Sequence, residues 1–256
     1  MSAAGRLQGM VAIITGGGSG FGESMAHAFA REGARIVLGD MNREAGNRVC
    51  GELTALGFEA IACLVDVSKS DDMAALVKAA LDRFGQIDVM VNNAGMSHPN
   101  RPMLDVDEAF FDRLFAVNVK SLYLSAVHCV PVFRRQKRGC FINIGSTAAV
   151  RPRPGLTWYN GSKGAVTLIT KSMAVELAPD NIRVNSINPA LADTPLLTTF
   201  MGTADTAENR ARFLASIPLG RLCQPADVAH AAVFLADPAS HFVTGVCLEV
   251  DGGRCI

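Results

Sequence analysis

Along this chain, short runs of apolar and β-branched residues alternate with longer stretches in which apolar residues recur every three or four positions. The short runs predict strands at Val11–Thr15, Arg35–Gly39, Ala60–Val65, Asp88–Asn92, Cys140–Ile144, Arg183–Asn188 and Val246–Val250. From Ser70 to Phe84, residues Met73, Leu76, Val77, Ala80 and Leu81 fall at helical spacing, with Ser70 as the expected N-cap and Gly85 as the stop. Apolar strands joined by helix-length crossovers imply a parallel sheet covered on both faces, and right-handed crossovers make it a doubly wound α/β fold. No repeat, low-complexity tract or linker interrupts the pattern, so residues 1–256 read as one domain. The least regular stretch, 190–219, is rich in Thr, Pro and Gly and reads either as a lid or as a surface excursion.

Composition narrows the class. Apolar residues make up 49% and charged residues 19%, a globular balance. The 24 basic and 24 acidic side chains cancel, which argues against a nucleic-acid partner. The basic run Arg134-Arg135-Gln136-Lys137-Arg138 reads as a solvated helix end and turn. Seven cysteines, an odd number without a C-x-x-C pair, read as free thiols in a reducing compartment, and no Cys/His cluster has zinc spacing. The first apolar run, Met10 to Ile14, is too short for a signal peptide or a membrane span, so a cytoplasmic protein without a membrane partner is expected.

Two motifs carry chemistry. After the first strand comes Thr15-Gly16-Gly17-Gly18-Ser19-Gly20-Phe21-Gly22, followed by a helical run. Such a loop lets backbone N–H groups approach a pyrophosphate, whose charge the following helix N-terminus favours. Alone it is a weak signal. Asp40, ending the second strand 24 residues after Gly16, strengthens it, because an acid there accepts from ribose hydroxyls and repels a 2′-phosphate. Met41 follows, and Ser19 stands where a basic side chain would have held that phosphate, so NAD is expected over NADP. The second motif is Tyr159 and Lys163, four residues apart on one face of a helix expected over Thr157 to Ala178. A neighbouring ammonium favours phenolate and makes the tyrosine a usable acid and base.

With these motifs and Asp66, Asn92-Asn93-Ala94-Gly95, Asn118, Ser146, Tyr159-Asn160-Gly161-Ser162-Lys163, Asn188-Pro189, Thr194 and Val250-Asp251-Gly252-Gly253, the chain resembles the short-chain dehydrogenase/reductase family over nearly its whole length. The resemblance implies a seven-stranded parallel sheet and an enzyme that moves hydride between NAD(H) and a small secondary alcohol or ketone such as a polyol, sugar or hydroxy acid. It implies Tyr159 as acid/base and Ser146 on the substrate oxygen. Lys163 would lower the tyrosine pKa and bind the nicotinamide ribose, and Asn118 would hold a relay water. Asp66 and Val67 would face adenine, Asn93, Ala94 and Gly95 the ribose, and Pro189 and Thr194 the nicotinamide end. It also implies a homotetramer built on helices around 105–136 and 157–178. One departure stands out: Pro189-Ala190 occupies the family's usual Pro-Gly.

By the same resemblance the substrate pocket is built from Met96, Ser97 and His98, from Ala148 to Trp158 and from Leu191 to about Phe213, with Ser97, His98, Arg153, Trp158 and Leu191 as the expected substrate contacts. Arg151 and Arg153 suit an anionic substrate group, or else a surface or subunit contact. His98 reads as a loop histidine. The rival readings are a 3-oxoacyl-carrier-protein reductase, disfavoured by Asp40 and neutral charge, and a non-catalytic dinucleotide sensor, disfavoured by the intact catalytic positions.

Overall fold

The computed structural model describes residues 5–256, so the first four residues of the expected domain lie outside the described region. The chain runs β1 (Val11–Thr15), α1 (Gly20–Arg31), β2 (Arg35–Asp40), α2 (Arg43–Ala55), β3 (Ala60–Leu64), α3 (Ser70–Phe84), β4 (Val89–Asn92), α4 (Glu108–Phe115) and α5 (Ser121–Gln136). It continues through β5 (Gly139–Ile144), α6 (Thr157–Leu177), β6 (Ile182–Pro189), α7 (Leu197–Met201), α8 (Ala207–Leu214), α9 (Pro225–Ala236) and β7 (Cys247–Val250). The seven strands pair in parallel in the order β3-β2-β1-β4-β5-β6-β7. Each expected strand is present, shifted by at most a residue or two at its ends.

The two-residue period of the strands divides the core. Ala12, Ile14, Ile36, Leu38, Val89 and Val91 pack on one face with Met25 and Phe29 of α1 and Val228 and Ala232 of α9. Val11, Ile13, Val37, Met90 and Phe141 point the other way, toward Leu76 of α3, Phe133 of α5 and Ala174 of α6. Helices cover both faces of the central strands, which is why β1, β4 and most of β2 and β5 are buried and apolar rather than alternating.

Two local expectations change. Ser70 is the first residue of α3 rather than its cap; Lys69 takes the cap position, and the Ser70 hydroxyl meets Nε2 of His128 at 3.2 Å. Gly85 does end the helix, in the left-handed conformation at φ 77°. The helix expected around 105–136 starts at Glu108, where Asp107 caps it by accepting from the Phe110 N–H at 2.7 Å, and a π-helical turn, Ala116–Lys120, interrupts it. Glu108–Gln136 is long and apolar enough, by composition, to cross a membrane. Leu114, Leu122, Leu124, Cys129, Val132 and Phe133 of that run are buried, as in a core helix. All seven cysteines are free, with Cys129, Cys140 and Cys223 buried.

Phe133 stacks edge-on against Phe141 with centroids 5.2 Å apart, and Gly139 lies directly beneath its ring, where an added Cβ would overlap the ring carbons. Gly139→Ala should therefore destabilise the fold by about 1–3 kcal/mol through overpacking. A lower urea midpoint at unchanged m-value would show it.

Candidate active site

The strand order reverses between β1 and β4, and a cleft of about 720 Å³ opens at the carboxyl ends of the strands there. Gly16 and Gly20 of the first loop have φ of 63° and 55°, and a Cβ on Gly16 would sit 3.0 Å from Cα of Ala94. Gly22 does not line the cleft; its missing side chain lets α1 pack on the Gly16 carbonyl. Ser19 stands at the N-cap of α1 but makes no side-chain capping bond, so the N–H groups of the first turn remain available to an anion. The loop is held from below. Thr15 Oγ1 accepts from the N–H groups of Asn93 and Ala94, and the Asn93 amide donates to the carbonyls of Thr15 (2.8 Å) and Gly16 (3.0 Å). Asn93 thus braces the loop in addition to bordering the cleft. These glycines, the free helix N-terminus and the acids beyond suit a dinucleotide.

Asp40, Met41, Asp66 and Val67 border the far end. The Asp40 carboxylate is aimed by N–H donors from Gly18 and Asn42, each at 2.8 Å. Asp66 accepts from the Ser68 hydroxyl at 2.6 Å, and this bond is the first cause of its lowered pKa.

At the other end Tyr159, Ser146 and Lys163 converge, with Thr194, Pro189, Ala190 and Gly95 around them. Tyr159 and Lys163 are 7% and 6% exposed, and burial decides their protonation. It pushes the tyrosine hydroxyl up to about 12, with the Ser146 hydroxyl pulling the other way, and it pushes Lys163 down to about 8. The expected lowering of the phenol by Lys163 is therefore not what governs this state of the site. The ammonium donates to the Ile144 carbonyl at 2.8 Å and lies 5.9 Å from the phenol ring centroid. The Asn118 side chain lies behind this group at the π-helical turn. Its Oδ1 accepts from Met96 N–H at 2.8 Å, and its amide donates to the Met96 carbonyl and to Ser162 Oγ, which donates to the Tyr159 carbonyl. Ala190 replaces the usual glycine without strain: its φ is not positive, and its N–H donates to the Val250 carbonyl.

Of the expected substrate residues, Leu191 and Arg153 line the cleft; Ser97, His98 and Trp158 do not. The loop after β4 turns inward, so Ser97 Oγ donates to the His98 carbonyl and His98 Nδ1 meets the Pro99 carbonyl at 2.9 Å. Trp158 packs against the cluster of Leu114, Leu156 and Tyr159 without lining the cleft, and its indole N–H donates to the Met103 carbonyl. Further wall residues come from the stretch 191–213 expected to line the pocket, and one, Arg254, comes from outside every expected segment. Phe200 of α7 stacks edge-on at 5.0 Å from Tyr159, Phe213 of α8 lies under the Arg153 guanidinium at 4.6 Å, and Arg212 and Arg254 line the same end. Asn143 was also missed. It accepts from Asn92 and donates to Thr170 on α6, tying the catalytic helix to the sheet. Its signal was a polar residue within an otherwise apolar strand. Among the described residues one trio, Glu23, His27 and Glu52, has metal-ligand proximity, but the Arg48 guanidinium already bridges both carboxylates.

Residues 16–254 match a family model described as enoyl-(acyl carrier protein) reductase. The chain is 48% identical to 4-formylbenzenesulfonate dehydrogenase of Comamonas testosteroni, over 98% of this chain and 99% of that one. A solved structure of 3-ketoacyl-(acyl-carrier-protein) reductase from Brucella melitensis, complexed with NADH, superposes with a TM-score of 0.91 at 46% identity, covering 98% and 100% of the two chains. A 7α-hydroxysteroid dehydrogenase complexed with NADH and 7-oxo glycochenodeoxycholic acid matches with a TM-score of 0.91 at 38% identity, covering 97% and 95%.

The buried pair makes stability depend on pH. Lys163 is depressed from 10.5 to about 8 in the fold, so its burial penalty is complete below about 8 and fades as pH rises to 10.5. Tyr159 is raised from 10.0 to about 12, so its contribution is present below 10.0 and is lost through about 12. Against Lys163→Met, the wild type should gain stability in urea titrations between the two lysine values. Against Tyr159→Phe it should lose stability above the ordinary tyrosine value.

Proposed function

The chain belongs to the short-chain dehydrogenase/reductase family, and within it we propose an oxidoreductase that moves a hydride between NAD(H) and a CH–OH group of a small molecule, with Tyr159 as acid and base. The observation that carries this reading is the convergence of Tyr159, Ser146 and Lys163 in one cleft with a glycine-lined helix N-terminus and Asp40. In this reading the first turn of α1 and the loop Gly16 to Phe21 hold the pyrophosphate, Asp40 and Met41 the adenosine ribose, and Asp66 and Val67 the adenine. Gly95, Pro189 and Thr194 border the nicotinamide. A second negative charge beside Asp40 would be repelled, which favours NAD over NADP, and two solved relatives carry NADH.

Bound nicotinamide supplies the hydride chemistry. The chain's part is protonic. In reduction, Tyr159, held neutral by burial, gives its proton to the carbonyl oxygen while Ser146 donates to the same oxygen as charge develops. In oxidation the phenol must first lose its proton, and positive charge in the cleft, from Lys163 among others, opposes the desolvation that keeps it neutral. Asn118 acts as a positioning residue, through Ser162 and the Met96 backbone. Residues 190–219 serve as a lid, since Phe200 from this stretch covers the Tyr159 ring. Exposed Tyr123 and Val127 on α5 and Leu168 and Val175 on α6 suit helix packing in a homotetramer.

The relative named for 4-formylbenzenesulfonate widens the substrate class from ketones to aldehydes and their alcohols. A second reading, reduction of a 3-oxoacyl thioester, is favoured by the likeness to the 3-ketoacyl reductase. NADH oxidation by acetoacetyl thioesters rather than by simple aldehydes or ketones would select it.

Tyr159→Phe should lower kcat/KM by about 10²–10⁴-fold and leave NADH binding, followed by fluorescence titration, within twofold. Normal turnover in that variant would sink the mechanism. Asp40→Ser should weaken NADH and narrow its advantage over NADPH by about tenfold or more, the worth of a charge-assisted hydrogen bond. An unchanged ratio of the two dissociation constants would remove Asp40 from the cofactor's recognition.

A further inference from the structure

Both acidic residues of the cleft, Asp40 and Asp66, belong to the adenosine end, where Arg113 also lines the wall and helps to lower the Asp66 pKa; Arg151, Arg153, Arg212 and Arg254 gather at the opposite end. These arginines differ in what already satisfies them. Arg212 pairs with Glu208 at 2.8 Å at an exposed site. Arg151 is exposed and donates to the Arg254 carbonyl. Arg153 lies over Phe213, with Cζ 4.6 Å from the ring centroid, and forms no ion pair among the described residues. Arg254 is 9% exposed, lines the cleft, and its Nη1 is buried without a hydrogen-bond partner.

A buried guanidinium without an acid is costly to hold, and a second one beside it more so. A guanidinium presents a planar fork of donors that matches a carboxylate or sulfonate. Between this fork and Tyr159 the wall is apolar and aromatic: Phe200, Phe213, Leu156, Leu191 and Ile217.

We propose that Arg254, with Arg153 beside it, is the binding site for an anionic oxyacid group, carboxylate or sulfonate, carried at the far end of an apolar or aromatic substrate whose carbonyl or carbinol carbon reaches Tyr159. The proposal rests on the oxidoreductase reading for the reacting end only; the anion site stands or falls separately. It answers the choice left open for the Arg-Pro-Arg-Pro segment: Arg153 faces the cleft, and Arg151 braces the backbone of its neighbour.

The test is calorimetric titration of the intact protein, with and without NADH, by 4-formylbenzoate against its neutral amide 4-formylbenzamide and by benzenesulfonate against benzenesulfonamide. NADH oxidation is followed with the two aldehydes in parallel. The acids should bind about 10- to 100-fold tighter than their amides, and Arg254→Met or Arg153→Met should remove most of that discrimination, as expected for the loss of a charged hydrogen bond. Methionine keeps most of the side-chain volume, and the second variant guards against a folding defect in the first. A carboxylate-only or sulfonate-only preference would identify the group. Equal binding of acid and amide, no binding of either acid, or discrimination that survives both substitutions would overturn the site. Arg-dependent acid binding without NADH oxidation would keep the site and remove the oxidoreductase reading. NADH oxidation without acid preference would do the reverse.

Discussion

Lys163 carries an ammonium into a place where the fold leaves it 6% exposed, and it answers that cost with a 2.8 Å bond to the Ile144 carbonyl at the end of β5. Much of the catalytic end is arranged around this constraint. A buried amine needs a fixed acceptor, so α6 must be registered against β5. The Asn92–Asn143–Thr170 chain supplies that registry across the sheet, and Ser162 with Asn118 supplies it from the side. Each of these polar groups is paired, as a low-dielectric interior demands. The π-helical turn at Asn118 belongs to the same scheme, because it delivers one amide to both the Met96 backbone and Ser162.

The same burial that positions the pair also sets its resting protonation. Desolvation raises the phenol and lowers the amine, so each group is pushed toward its neutral form. An acid/base group poised this way responds to charge brought into the cleft, since positive charge reverses the penalty on phenolate. Both acids of the cleft, Asp40 and Asp66, stand at one end and four arginines at the other.

Much of this was legible from the chain. Strand positions followed from apolar runs that tolerate burial on both faces, and the phosphate loop from glycines that permit left-handed backbone at Gly16 and Gly20. Local motifs show themselves because their residues are neighbours in sequence. What was not legible depended on long-range placement. Arg254 reaches the cleft from beyond β7, and within the stretch 191–213 expected to line the pocket the fold alone decides that Phe200 and Phe213 face it. Trp158 was misplaced because its neighbour Tyr159 faces the cleft, and adjacent residues on a helix point about 100° apart. Ser97 and His98 were misplaced because the loop after β4 turns inward, with Ser97 Oγ on the His98 carbonyl and His98 Nδ1 on the Pro99 carbonyl. The Ser70 cap failed for a subtler reason: α3 begins one residue earlier, which places the serine inside the first turn.

The most direct test of the poised pair is ultraviolet titration of tyrosinate in the protein with and without NAD+, with the Tyr159→Phe variant subtracted. The chain has two tyrosines, and the second, Tyr123, is exposed, so the subtraction isolates one phenol. Without cofactor, Tyr159 should titrate near 12, and with NAD+ present its midpoint should fall by at least about one unit, the size of shift a nearby opposite charge produces. A midpoint that NAD+ leaves unchanged, or one already near 10 in the free protein, would contradict the view that burial sets the resting state and cofactor charge releases it.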